Sequence, residues 1–103
     1  MNRSLIRYHF KEGTREAWHK RVAEFIAALD NDPDLKGRVS YRCLKEKNGD
    51  GYYHLAAAVD EAAVKALQGK PFFRQYQEET RRVGGGEVEV LGLELVAETV
   101  FKA

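Results

Sequence analysis

Hydrophobic and polar positions alternate between Leu5 and Lys11: Ile6, Tyr8 and Phe10 fall on one side, Arg7, His9 and Lys11 on the other. A period of two is the pattern of a strand with one apolar face. After Gly13 the period changes. Thr14 is of a type that caps helices, and Trp18, Val22, Phe25, Ile26 and Leu29 then recur at spacings of 4, 3, 1 and 3, one stripe of an amphipathic helix. The cluster Asp30-Asn31-Asp32-Pro33 predicts its end. Alternation returns over Arg38 to Glu46, with Val39, Tyr41 and Cys43 opposed to Ser40, Arg42 and Leu44. The turn-forming run Asn48-Gly49-Asp50-Gly51 and the stretch Tyr52 to Val59 complete a hairpin. A short helix follows from Asp60 to about Gln68, and Pro71 opens another that carries Phe72, Phe73, Tyr76 and Val83. Gly84-Gly85-Gly86 releases it into a last strand, Val88 to Val100, bent or bulged near Gly92.

The order is strand, helix, strand, strand, helix pair, strand. It predicts an α+β protein: a ferredoxin-like βαββαβ antiparallel sheet with its helices on one face. The last strand puts Val90, Leu91, Leu93, Leu95 and Val96 on both of its sides, and one layer of helices covers only one. A second copy of the chain would bury the other face, so a twofold homodimer is expected.

Composition removes several classes of function. The 103 residues are expected to form a single domain over 1–103, and 44% hydrophobic residues mark a globular chain. Seventeen Lys and Arg against sixteen Asp and Glu leave a net charge of +1, without the basic excess of a dedicated nucleic-acid binder. An RNA-recognition domain shares the element order, but the third strand, Tyr52 to Val59, continues into alanines and offers no stacking platform for bases. The single Cys43 excludes an internal disulfide, and three histidines without metal-ligand spacing predict no metal site. Apolar runs fall short of a membrane span and the first residues lack a signal-peptide core, so a cytoplasmic protein without membrane contact is expected.

The stretch from Asp60 to Phe73, with its acidic cap, short helix and Lys70-Pro71-Phe72-Phe73, resembles that of antibiotic-biosynthesis-monooxygenase-type domains. Those are dimeric α+β barrels with the same order of elements. The resemblance spans nearly the whole chain in element order and is specific at residue level only over 53–73. It implies a cofactor-independent monooxygenase acting on a quinol-like or polyphenolic small molecule. The substrate loses a proton in an apolar pocket, and its anion reduces dioxygen without flavin, haem or metal. The same fold also serves non-catalytic small-molecule-binding or stress-related domains and isomerases, which are the alternatives. This chain carries Ala58, Leu67 and Phe72 where family members have a bulky aromatic, a His in the short helix and the His of Pro-His-Phe. The haem-degrading branch's Asn, Trp and His fall at Ile6, Leu67 and Gln77, so haem degradation is set aside.

Two residues are candidates for catalysis. His54 shares strand parity with Tyr52, Ala56 and Ala58, and a neutral imidazole facing a pocket beside two alanines can accept a phenolic proton or a hydrogen bond. It can equally be a sheet histidine bonded to a neighbouring Tyr or backbone group. Tyr8 can orient a bound carbonyl or phenol, or be a core tyrosine whose hydroxyl has one partner. Trp18, Phe72, Phe73 and Tyr76 are candidate substrate-binding walls, at spacings that equally suit a packed core. His9 is read as structural or solvated, and His19 as a surface partner of Glu16.

Overall fold

The computed structural model describes residues 1–102. Its elements are β1 (Asn2–His9), α1 (Arg15–Asn31), β2 (Val39–Lys45), β3 (Gly51–Ala58), α2 (Glu61–Gln68), α3 (Pro71–Val83) and β4 (Glu89–Leu93). The four strands form one antiparallel sheet in the order β2-β3-β1-β4, the ferredoxin-like α+β arrangement. Two caps set the helix starts. Thr14 Oγ1 accepts from the Ala17 N–H at 3.2 Å, and Asp60 Oδ1 from the Ala63 N–H at 2.8 Å, each supplying a partner that the first turn lacks.

The core lies between the helices and one face of the sheet. Trp18, Val22, Phe25 and Leu29 of α1 meet Tyr8 of β1, Tyr52 of β3 and Tyr76 of α3. It is unusually aromatic. Phe25 stacks on Tyr76 with centroids 3.7 Å apart, Trp18 on Tyr76 at 5.7 Å, and Tyr8 on Tyr52 at 5.5 Å. Each such ring buries a large apolar area and adds a geometric preference that aliphatic packing lacks.

Register decides which polar groups enter this core. Ile6 pairs with His54 on one side of β1 and with Val90 on the other, and Cys43 pairs with His54 across the β2-β3 ladder. His54 therefore sits on the central strand pair, on the helix-covered face, where it is fully enclosed.

Three expectations change. β4 ends at Leu93 and not at Val100, and residues 94–102 have no strand partner. The reason is its neighbour: Arg3 pairs with Leu93, and β1 itself extends only one position further, to Asn2. Gly92 sits in unbroken register opposite Ser4, so the strand has no bulge there. His19 turns to the Tyr52 hydroxyl, 2.7 Å from its Nε2, and makes no pair with Glu16.

The opposite face of the sheet carries Leu5, Leu55 and Leu91 in one row across three strands, bordered by the Arg7–Glu89 ion pair at 3.0 Å. No helix covers it. Leu44, Leu55, Leu91 and Leu93 are exposed there, and Val96 and Phe101 beyond β4 touch almost nothing.

Candidate functional site

Past His54, the helix-facing side of β3 carries only the methyl groups of Ala56 and Ala58. With no large side chains to fill the layer, a cavity of about 300 Å³ opens between this end of the sheet and helices α2 and α3. Ile6, Leu29, Val39, Val64, Leu67 and Phe73 form apolar walls. Asn2, Gln68, Gln77 and Arg81 stand at the exposed rim. Tyr41 and Tyr76 also line it. Among the described residues no carboxylate does, and Arg81 is the one charged residue of the lining.

Behind Tyr41 and Tyr76 lies a buried chain of hydrogen bonds. The Trp18 Nε1–H donates to the Tyr8 hydroxyl oxygen at 2.8 Å. Tyr8 Oη is 2.7 Å from His54 Nε2, and His54 Nδ1 is 2.5 Å from Tyr41 Oη and 3.4 Å from Tyr76 Oη. The elements α1, β1, β3 and β2 thus contribute one link each, held in place by the strand register. No buried polar side-chain atom among the described residues lacks a partner.

Burial sets the protonation states. Loss of water around the imidazole pushes His54 down to about 4, because its charged form has nothing to pair with. Burial raises the phenols of Tyr8, Tyr76 and Tyr41 well above the ordinary tyrosine range, and their mutual proximity adds to the rise of Tyr8 and Tyr76. At neutral pH the network is a neutral imidazole among protonated phenols. The Cys43 thiol is pushed up to about 11 by burial, so it is no thiolate nucleophile. Among the described residues, no group of three or more His, Cys, Asp or Glu is placed to hold a metal ion.

The structure brings His54, Tyr8, Trp18 and Tyr76 together in one network, but only Tyr76 of these four also lines the cavity. Phe73 lines the cavity; Phe72 packs on Phe25, 6.0 Å between centroids, and does not. His54 stands one residue behind the cavity wall and Tyr8 two, beyond His54. Sequence reasoning passed over Tyr41, which it placed on a strand face without a task. The hairpin held the signal: closing it at Asn48–Gly51 sets Tyr41 opposite Ala56, one step along the strand from the Cys43–His54 pair.

No protein-family model matches the sequence, and no curated protein does. Solved structures do. An N63A mutant of SnoaB, a cofactor-independent oxygenase from Streptomyces nogalater, superposes with a TM-score of 0.72 at 17% identity, over 94% of this chain and 95% of that one. A candidate antibiotic biosynthesis monooxygenase from Deinococcus radiodurans gives 0.69 at 11% identity, over the whole of both chains. A dimeric ferredoxin-like protein of unknown function from Jannaschia sp. CCS1 gives 0.63 at 21% identity, over 92% of this chain and all of the other. The chain has the fold of the antibiotic-biosynthesis-monooxygenase-type proteins. No helix among the described residues is long and apolar enough to cross a membrane.

Proposed function

We propose that this protein is a cofactor-independent monooxygenase that oxidises a quinol-like or polyphenolic molecule bound in the cavity beside Tyr41 and Tyr76. The observation that carries this reading is the cavity itself: apolar walls, two phenols backed by a buried neutral histidine, and one cation at the rim. A flat aromatic ring suits such walls, and its oxygen substituents suit the hydroxyls.

The chemistry belongs mostly to the substrate. Loss of a proton from an anthrone-type methylene gives an anion rich enough in electrons to reduce dioxygen. One electron passes to O2, the two radicals join through a C–O bond, and protonation gives a hydroperoxide. Loss of water then leaves a carbonyl. The carbon is oxidised by four electrons, and the two oxygen atoms end as the carbonyl oxygen and water. The protein holds the ring, excludes bulk water from the anion, and stabilises its oxygen through hydroxyl donors. Tyr76 and Phe73 act as walls; His54 and Tyr8 act as hydrogen-bond partners behind Tyr41, and Trp18 anchors Tyr8.

The test is oxygen uptake in chelator-treated buffer with hydroquinones, naphthoquinols and anthrone-like phenols. Uptake above autoxidation that collapses in Tyr41→Phe supports the reading; no enzyme-dependent uptake on any of them refutes it. One observation favours a second reading, a binding domain without turnover: both nitrogens of His54 are committed inside the protein, so no free base faces the cavity.

A second copy of the chain is the partner this reading includes. The Leu5, Leu55, Leu91 row and the apolar residues after β4 leave apolar surface that no other element covers among the described residues, which a twofold dimer would bury. Sedimentation of the protein as a monomer at micromolar concentration would contradict it.

A further inference from the structure

The buried hydrogen bonds have a direction, and the direction bears on what the cavity binds. An indole N–H can only donate, so Trp18 makes Tyr8 Oη an acceptor at 2.8 Å. Tyr8 is 4% exposed, and the other partner of its hydroxyl is His54 Nε2. The Tyr8 hydrogen must therefore go to that nitrogen. The opposite arrangement, with Nε2–H donating, would bury a Tyr8 O–H with no acceptor. An accepting Nε2 places the hydrogen of the neutral imidazole on Nδ1, which faces Tyr41 Oη at 2.5 Å and the more distant Tyr76 Oη at 3.4 Å. Tyr41 Oη is then itself an acceptor. Tyr41 and Tyr76 also share a hydrogen bond; with the Tyr76 O–H donating, the Tyr41 hydrogen is left without a protein acceptor among the described residues, and Tyr41 lines the cavity.

We propose that Trp18, Tyr8 and His54 act in series to hold Tyr41 as a hydrogen-bond donor to the cavity, so that the site takes an aromatic oxyanion, a phenolate or enolate, rather than a neutral phenol. This rests on the cavity being the substrate site. The rim agrees with it. Among the described residues Arg81 makes no ion pair, and none in the lining carries a carboxylate to repel an anion or accept a phenolic proton. The phenols stay protonated at neutral pH, so the donor persists. His54 is a positioning residue here. The proton of the substrate leaves to solvent at the open rim, and the site favours the anion that remains.

The probe is 4-nitrophenol, which titrates near neutrality in water and whose phenolate absorbs visible light. Its titration is followed free, bound to the protein, and bound to Tyr41→Phe and Arg81→Gln. The expected result is a bound probe that loses its proton at least about one pH unit lower than the free one, a tenfold preference for the phenolate, with most of that preference gone in Tyr41→Phe. In parallel, nitrogen NMR on the unmodified protein at neutral pH should show His54 with its hydrogen on Nδ1, the tautomer less common in free imidazole side chains. A bound probe titrating at or above its free value, failure of the probe to bind at millimolar concentration, or a hydrogen on Nε2 would each overturn the proposal. None of these readouts needs turnover. Phenolate binding without oxygen uptake would sink the monooxygenase reading and leave this one standing.

Discussion

Tyr8→Phe removes one oxygen atom and little else. The ring stays, and with it the stack on Tyr52 at 5.5 Å. What is lost is the acceptor of the Trp18 indole N–H and the partner of His54 Nε2. Trp18 is 5% exposed and His54 0%, so water does not replace the lost oxygen without opening the core. Each orphaned buried group costs about 1–3 kcal/mol, and switching the His54 tautomer only trades an orphaned acceptor for an orphaned donor. The expected loss is about 2–6 kcal/mol, a large part of the stability of a domain this size. Urea unfolding followed by the fluorescence of Trp18, the single tryptophan, reads it as a lower midpoint at unchanged slope. The matched control is Tyr53→Phe. It deletes the same oxygen from an exposed bond to Glu46 at 3.1 Å and should cost no more than about 0.5 kcal/mol. If both variants lose similar small amounts, the buried network is not what organises this core, and the assigned His54 tautomer loses its basis.

Acid should weaken the fold through His54. The unfolded chain protonates this histidine near 6.5 and the folded one only near 4, so the unfolded state binds the extra proton as pH falls between those values. Stability is undiminished above pH 6.5 and drops by about 3 kcal/mol on the way to pH 4. Chemical denaturation at stepped pH should show that slope and show it flattened in His54→Gln. Ala56→Leu would fill the cavity from the sheet side; it should change stability by no more than about 1.5 kcal/mol while weakening ligand binding at least tenfold, checked by unfolding and by titration with a nitrophenol. Leu55→Glu places a charge in the apolar row of the uncovered sheet face and should convert a sedimenting dimer into a folded monomer.

The sequence made the sheet legible because alternation is a local signal that a half-buried strand must carry. Leu44 is half exposed and Cys43 half buried, as their parity requires. The end of β4 was not legible. Leu95, Val96 and Val100 have strand composition, but a strand needs a neighbour, and the point where β1 runs out is a property of register. His54 and Tyr8 stood out as chemistry on the helix-facing side. That they touch each other at 2.7 Å with Trp18 behind them depends on three elements meeting, which no spacing along the chain encodes. Tyr41 was hidden for the same reason. Its role comes from its neighbour across the hairpin, and only the pairing of Cys43 with His54 brings it there. The cavity was half visible: Ala56 and Ala58 announced missing volume, while Phe72, placed among its walls by helical spacing, turned instead to Phe25.

The claim at the centre of this account is that the substrate anion, held in the cavity, reacts with dioxygen directly. Turnover of an anthrone-like phenol under isotopically labelled dioxygen, in chelator-treated buffer with no added cofactor, tests it most directly. Mass spectrometry should find one labelled oxygen atom in the product carbonyl, with the label incorporated far faster than in protein-free buffer and at near-background rate with Tyr41→Phe. A product whose new oxygen comes from water, or labelling at the same rate with and without the protein, would contradict it.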